Sequence, residues 1–243
     1  MFAIFKKEVN SFLSSLVGYM AVAVFLLITG LFVWVFPDYS LIHYGVSSLD
    51  SFFRIAPYVF LFLIPAITMR AFAEEVQTGT FELLATRPIR DWEIVAGKYL
   101  AAVFLVGLSI LPTFVYFFSV YELGFPKGNM DIGACLGSYM GLFLLGATFA
   151  AIGVCASALT HNQIVAFLLG LFACGFWYDS FASLARLSIF FGKYDAMVEK
   201  IGINYHYASI SRGLIDMRDV VYFISLILLF LGATRLLLER RKW

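Results

Sequence analysis

The chain has 243 residues, 62% of them hydrophobic and 14% charged, against roughly 45 to 50% and about 25% in soluble globular domains. The apolar residues gather into uncharged runs of about 20, the length that crosses a bilayer's hydrocarbon, so a soluble enzyme is excluded and a polytopic membrane protein follows. With 17 Lys and Arg against 16 Asp and Glu there is no basic surface to hold nucleic acid.

Residues 1 to 15 form an amphipathic lead-in. Phe2, Phe5, Val9, Phe12, Leu13 and Leu16 recur at helical spacing, while Lys6, Lys7, Glu8, Asn10 and Ser11 fill much of the opposite face. That pattern suits a helix lying in the inner headgroup layer. No small-residue cleavage site precedes a polar flank, so the first span is expected to stay on the chain. Six uncharged runs read as spans: Leu16 to Phe36, Ile55 to Met69, Tyr99 to Val120, Ile132 to Leu159, Gln163 to Tyr178 and Val220 to Leu238. The second and fifth are short and should extend into their flanks. Hydrocarbon offers no water to the backbone, so all six are helices and the fold is an all-α integral membrane protein.

Orientation follows from the loop charges. Lys6 and Lys7, then Arg70, Arg87, Arg90 and Lys98, then Arg235, Arg240, Arg241 and Lys242 share one side, against Arg54 and Lys127 in the short loops of the other. Both termini are therefore placed in the cytoplasm. Trp34, Phe36, Tyr116, Tyr121, Trp177 and Tyr222 fall near the opposite boundary as an aromatic belt.

The cytoplasmic connector between spans two and three is dense in signals. Gly79 can end the inward extension of span two, Thr80 can cap a new helix, and Pro88 stops that helix from running far past Thr86. The result is a short helix, Phe81 to Ala85, with Phe81 and Leu84 on one face. It is too short to stand alone and needs something to pack against. Its surrounding acids, Glu74, Glu75, Glu82, Asp91 and Glu93, suit an anionic leaflet poorly, which favours a protein partner over the lipid surface.

Farther on, Pro112 should bend span three. Gly133, Gly137 and Gly141 place a small-residue stripe on span four for close helix packing, inside this chain or with a partner. Residues 179 to 219 form an extracytoplasmic segment with helical patterning at Phe181 to Phe191 and Tyr194 to Ile201. It is read as a lid over the outer mouth, with a docking site for a sister subunit as the alternative. Cys135, Cys155 and Cys174 lie in apolar runs without metal-ligand spacing.

Several chemistries are missing. No run carries an ionisable residue near its middle, which weakens ion-coupled transport. There is no His-Glu-x-x-His helix, no Gly-x-Ser-x-Gly elbow and no phosphate-binding loop. Energy for any uphill movement must enter from another polypeptide.

The stretch Pro65-Ala-Ile-Thr-Met-Arg-Ala-Phe-Ala-Glu-Glu, followed by Gly79-Thr80-Phe81-Glu82-Leu83-Leu84, Pro88 and Gly97-Lys98-Tyr99, resembles the central signature of type-2 ABC exporter (ABC-2 type) permeases. The tail is similar too, from Ser211-Arg212-Gly213 to Val220-Val221-Tyr222 and then Glu239-Arg240-Arg241-Lys242-Trp243. Within that family the chain is most similar to the gliding-motility-associated permease subunit GldF. The resemblance implies six transmembrane helices, an elbow helix at residues 1 to 15, a cytoplasmic coupling helix at Thr80 to Ala85 and a short outer helix over Tyr207 to Met217 before the last span. Glu74, Glu75, Gly79, Thr80, Phe81, Glu82, Leu83, Leu84 and Pro88 would couple the chain to a separate GldA-like ATPase that binds ATP and Mg. A second permease is implied, a GldG-like sister or another copy, along with surrounding lipids of a bacterial inner membrane. The chain itself would hold no cofactor and catalyse nothing. Its apolar, aromatic path fits a hydrophobic cargo or mechanical transmission in which nothing crosses. The rival class is a non-transporting membrane scaffold for motility or secretion machinery.

Overall fold

A computed structural model of the chain describes residues 1–36, 48–80, 90–124, 127–186, 195–213 and 216–241, and these are helices joined by short turns. The lead-in is α1 (Phe2–Leu13), and span one is α2 (Leu16–Trp34). Span two is α3 (Asp50–Thr68) continued by α4 (Arg70–Gln77). Span three is α5 (Asp91–Ile110) and α6 (Phe114–Leu123), with one turn of 3-10 helix at Leu111–Thr113 between them. Span four is α7 (Ile132–Leu159). Span five is α8 (Gln163–Gly175), a π-helical turn at Phe176–Ser180, and α9 (Phe181–Ala185). Two short helices follow, α10 (Asp195–Glu199) and α11 (Ile203–Ile210), before span six, α12 (Met217–Arg241).

Among the described residues five helices are long and apolar enough to cross a membrane, and counting α1 with α2 across their 68° bend gives six. The short second and fifth runs do extend, span two to Gln77 and span five to Ala185. Pro112 sits in the 3-10 turn. Tyr139 secures that turn from span four, donating its hydroxyl to the Thr113 carbonyl at 3.0 Å and stacking on Phe114 at 4.5 Å.

The bundle is organised around α7, which touches α3, α4, α5, α8, α11 and α12. In its most apolar stretch 83% of residues are buried, against 22% in spans five and six, so span four is the axis and the others present lipid-facing sides. Leu27, Phe172 and Leu228 on those sides are exposed, as side chains bathed in acyl chains should be. Small residues let the neighbours approach α7. A Cβ at Gly141 would sit 2.7 Å from Ile210 Cγ2, and one at Gly146 would sit 2.6 Å from Val106 Cγ1. Gly153 faces Thr68 of α3 more closely still.

Span two runs as helix through both Pro57 and Pro65, and its ladder is interrupted at Met69. Two expectations change. The segment read as a helix over Tyr207 to Met217 ends its helix at Ile210, and Gly213 turns with a φ of +81° that an L side chain rarely adopts. Lys98, counted with the solvated connector, lies two turns into α5 and is only 2% exposed. Of the helices expected beyond span five, Phe181 to Ala185 and Asp195 to Glu199 are present, and residues 187 to 194 lie outside the described ones.

Candidate functional site

The connector end of the bundle is built from four chain segments that meet over the start of span three. The apolar side of α1 docks Ile4 and Val9 against α5, where Gly97 leaves room: a Cβ there would be 3.2 Å from Ile4 Cβ. That docking brings Lys7, whose side chain stays 56% exposed, and the half-buried Glu8 to the edge of the cluster. From span two, α4 turns Ala71, Phe72, Ala73 and Glu75 inward and leaves Glu74 half-buried.

Lys98 lies at the centre. Its Nζ is 2.8 Å from Glu8 Oε1 and 2.9 Å from Glu75 Oε2, donates to the Ala71 carbonyl, and sits 5.0 Å over the Phe72 ring. Glu75 uses its other oxygen to accept from Lys7 Nζ at 2.6 Å. Two lysines and two glutamates thus neutralise one another across α1, α4 and α5. Such a set offsets its desolvation only while every partner is present. Partial burial works to lower the Lys7 pKa, but the hydrogen bond and charge of Glu75 outweigh it, so this ammonium titrates above the usual lysine value.

Two further contacts tie neighbouring elements to this cluster. Arg70 donates to Ser15 Oγ at 3.1 Å, joining the start of α4 to the turn between α1 and α2. On the far side, the Arg235 guanidinium of α12 lies 5.6 Å over the Trp92 ring of α5.

The interruption at Met69 has its own support. Ser157 of α7 accepts from the Phe72 and Ala73 amides at 3.0 and 3.1 Å, and its hydroxyl donates to the Met69 carbonyl at 2.9 Å. One side chain from span four replaces the helical acceptors that α4 lacks at its start. After Gln77 the chain turns at Gly79, whose φ is +71°. Thr80 follows, exposed, its hydroxyl 2.9 Å from that of Thr78. Phe81, Glu82, Leu83, Leu84 and Pro88 lie outside the described residues.

The glycines of span four face the opposite end of the bundle. Gly137 lies against the Gly213 backbone and Gly141 against Ile210, both in this chain, while Gly133 meets only its own capping residue, Asp131. Gly146 and Gly153 continue the small-residue face toward the connector end and were not singled out in the sequence, although their seven-residue spacing marks one helix face. Lys98, Glu8, Lys7 and Ser157 were missed as well. The signal for Lys98 was its apolar flanks, Ile94-Val95-Ala96 before and Leu100-Ala101-Ala102 after, which leave a charge no route to bulk water.

Nothing in this arrangement is a nucleophile with a base beside it. Among the described residues no group of three or more His, Cys, Asp and Glu is placed to hold a metal, and the three cysteines are buried. Charges join α4 to α1 and α5, and Trp92 of α5 lies against Arg235 of α12. A family model described as ABC-2 family transporter protein matches residues 2–243. No curated protein matches the sequence.

Proposed function

Because the chain belongs to the ABC-2 family of transporter proteins, we propose that it is the transmembrane subunit through which a separate cytoplasmic ATPase drives movement, with the segment after Gly79 as the point of entry. As a family member it is a multi-pass membrane permease subunit and not itself the catalyst. Residues Thr80 to Ala85 dock in a groove of the ATPase, which binds ATP and Mg, and both termini face the cytoplasm. A second permease completes the pathway. The likeness of the Pro65 to Leu84 and Ser211 to Tyr222 stretches to GldF supports a gliding-motility complex of the inner membrane, with GldA-like and GldG-like partners.

The observation that carries this reading is the continuity of α4 with the charge cluster. Glu75 lies one helical turn before the Gly79 turn and is held by Lys98 and Lys7. A push passed through the Gly79 turn therefore enters a body already joined to the elbow and to span three. Phe81→Ala combined with Glu82→Lys should abolish permease-dependent stimulation of the ATPase and weaken its copurification. Unchanged association and unchanged turnover would overturn the assignment. Function surviving a nucleotide-site mutation in the ATPase would move the chain to the scaffold class.

A further inference from the structure

Helix α11 is held to the bundle by its apolar side. Ile203, Tyr207 and Ile210 are buried, and Tyr207 donates its hydroxyl to the Phe53 carbonyl at 2.7 Å. His206 points the other way, toward the first turn of α12. Its Nδ1 is 2.7 Å from Asp219 Oδ1, its Nε2 is 2.9 Å from the Lys200 carbonyl oxygen, and its ring stacks on Tyr222 with centroids 3.8 Å apart.

Both neighbours of the ring are acceptors. A carboxylate and a carbonyl each require an N–H, and a neutral imidazole carries one, so only the imidazolium makes both hydrogen bonds at once. The next carbonyl along, that of Ile201, accepts from the Tyr222 hydroxyl. Two consecutive carbonyls at the end of α10 are thus pinned to the head of span six, one by a phenol and the other by an imidazole.

We propose that His206 is a protonation-controlled latch: charged, it fastens the Lys200 carbonyl, and with it α10, to α12; neutral, it keeps Asp219 and lets Lys200 go. The proton that leaves is the one on Nε2, passing to water in the adjoining cavity. Nδ1 retains its own because the carboxylate is the stronger, charge-assisted acceptor. Asp219 is 5% exposed, and its Oδ2 has no hydrogen-bond partner among the described residues, so the ring is its principal support. With the ring neutral, the Nε2 lone pair would face the lone pairs of the Lys200 oxygen, and that contact opens.

The other charges around the ring come from every element that packs on it. Glu199 and Lys200 stand at the end of α10, Arg212 beyond α11, and Asp216 and Arg218 before Asp219, together lining a cavity of about 490 Å³. Tyr205 meets the ring edge-on at 5.3 Å. These charges are mixed in sign and adjoin the cavity, while the two acceptors contact the ring directly, so its protonation decides the contact. Histidine changes charge between about pH 5 and 8. The direction is fastening with the ring charged and release with it neutral. Which compartment's pH is sensed rests on the proposed orientation, which puts this end of the bundle outside the cytoplasm.

The test is hydrogen–deuterium exchange on the full chain, following amides of residues 195 to 202 from pH 5 to pH 8.5 with the intrinsic pH dependence of exchange removed. Protection should fall by about two- to tenfold across the histidine window, the loss of one hydrogen bond, while α7 stays constant. His206→Gln should abolish the step, and Tyr222→Phe should lower protection at every pH yet keep it. A flat wild-type profile, or the same step in His206→Gln, overturns the latch. Ring nitrogen resonances of the wild-type protein decide independently should the variant not fold: loss of the Nε2 proton alone is expected, and a ring neutral throughout or one that loses Nδ1–H overturns the proposal. Neither measurement requires an ATPase or a substrate, so their outcome is separate from that of the transporter assignment.

Discussion

Lys98 is the residue on which the connector end depends most. Its side chain is 1% exposed, and removing it leaves Glu75, 8% exposed, and Glu8 facing each other without their shared cation. Lys98→Met should therefore cost about 3–5 kcal/mol of unfolding free energy in detergent. Adding Glu75→Gln should recover part of that loss, so the two changes fall short of additivity by about 0.5–3 kcal/mol. Strict additivity would show that the pair is not coupled. The Lys7 contribution has a definite pH sign. Because its folded pKa is raised, its share of stability is complete below the unfolded value of about 10.4 and is lost only as pH climbs through the higher folded value. The stability difference between wild type and Lys7→Met should accordingly be flat from about pH 6 to 9. Lys98 was visible in the sequence only as part of a motif. Counting it with the connector followed from reading spans by uncharged runs, a rule that ends a helix at its first charge even when that charge is paired inside.

At the scale of elements, the sequence was most legible where apolar length alone decides. Ile132 to Leu159 begins and ends as read, because Asp131 caps the first turn and the polar Thr160 to Asn162 turn follows. Legibility was lost where one element is completed by another. The interruption of span two at Met69 depends on a serine 88 residues away, and no local pattern predicts it. Ser157→Ala leaves the Phe72 and Ala73 amides without that acceptor in a buried place. It should cost about 1–3 kcal/mol and accelerate exchange of those two amides ahead of the rest of α4. Equal protection in the variant would mean that water or a ladder carbonyl takes over. The segment before span six was misjudged for a related reason. The resemblance carries its helix past Ile210 to Met217, but Gly213 lies so close to Ala134 of span four that the chain must turn there. A glycine in that stretch marks a tertiary contact as well as a stop.

At the scale of the whole molecule, the question is whether the connector end moves as one piece. α1 packs on α5, α4 is pinned to both by charges, and Arg235 reaches back to Trp92, whereas α2 and α8 lie mostly toward lipid. If a partner pushes at the Gly79 turn, that geometry predicts that α1, α4 and α5 move together, with the start of α4 also held to α7 through Ser157. The consequence can be tested by locking the elbow to span three. Ile4 and Gly97 are the natural pair, since a Cβ at 97 would lie 3.2 Å from Ile4 Cβ and replacing isoleucine clears the branch that stands as near; disulfides span about 3.5–4.5 Å between Cβ atoms, a small adjustment. The native cysteines are buried, so oxidation should be confined to the engineered pair. Ile4→Cys with Gly97→Cys, once oxidised, should retain full stimulation of the ATPase, because the bond joins two parts that already travel together. Stimulation lost on oxidation and restored by reductant would show instead that the elbow slides on span three during the cycle. The charge cluster would then have to break and re-form at each turnover, and Lys98→Met would speed that step rather than impair it.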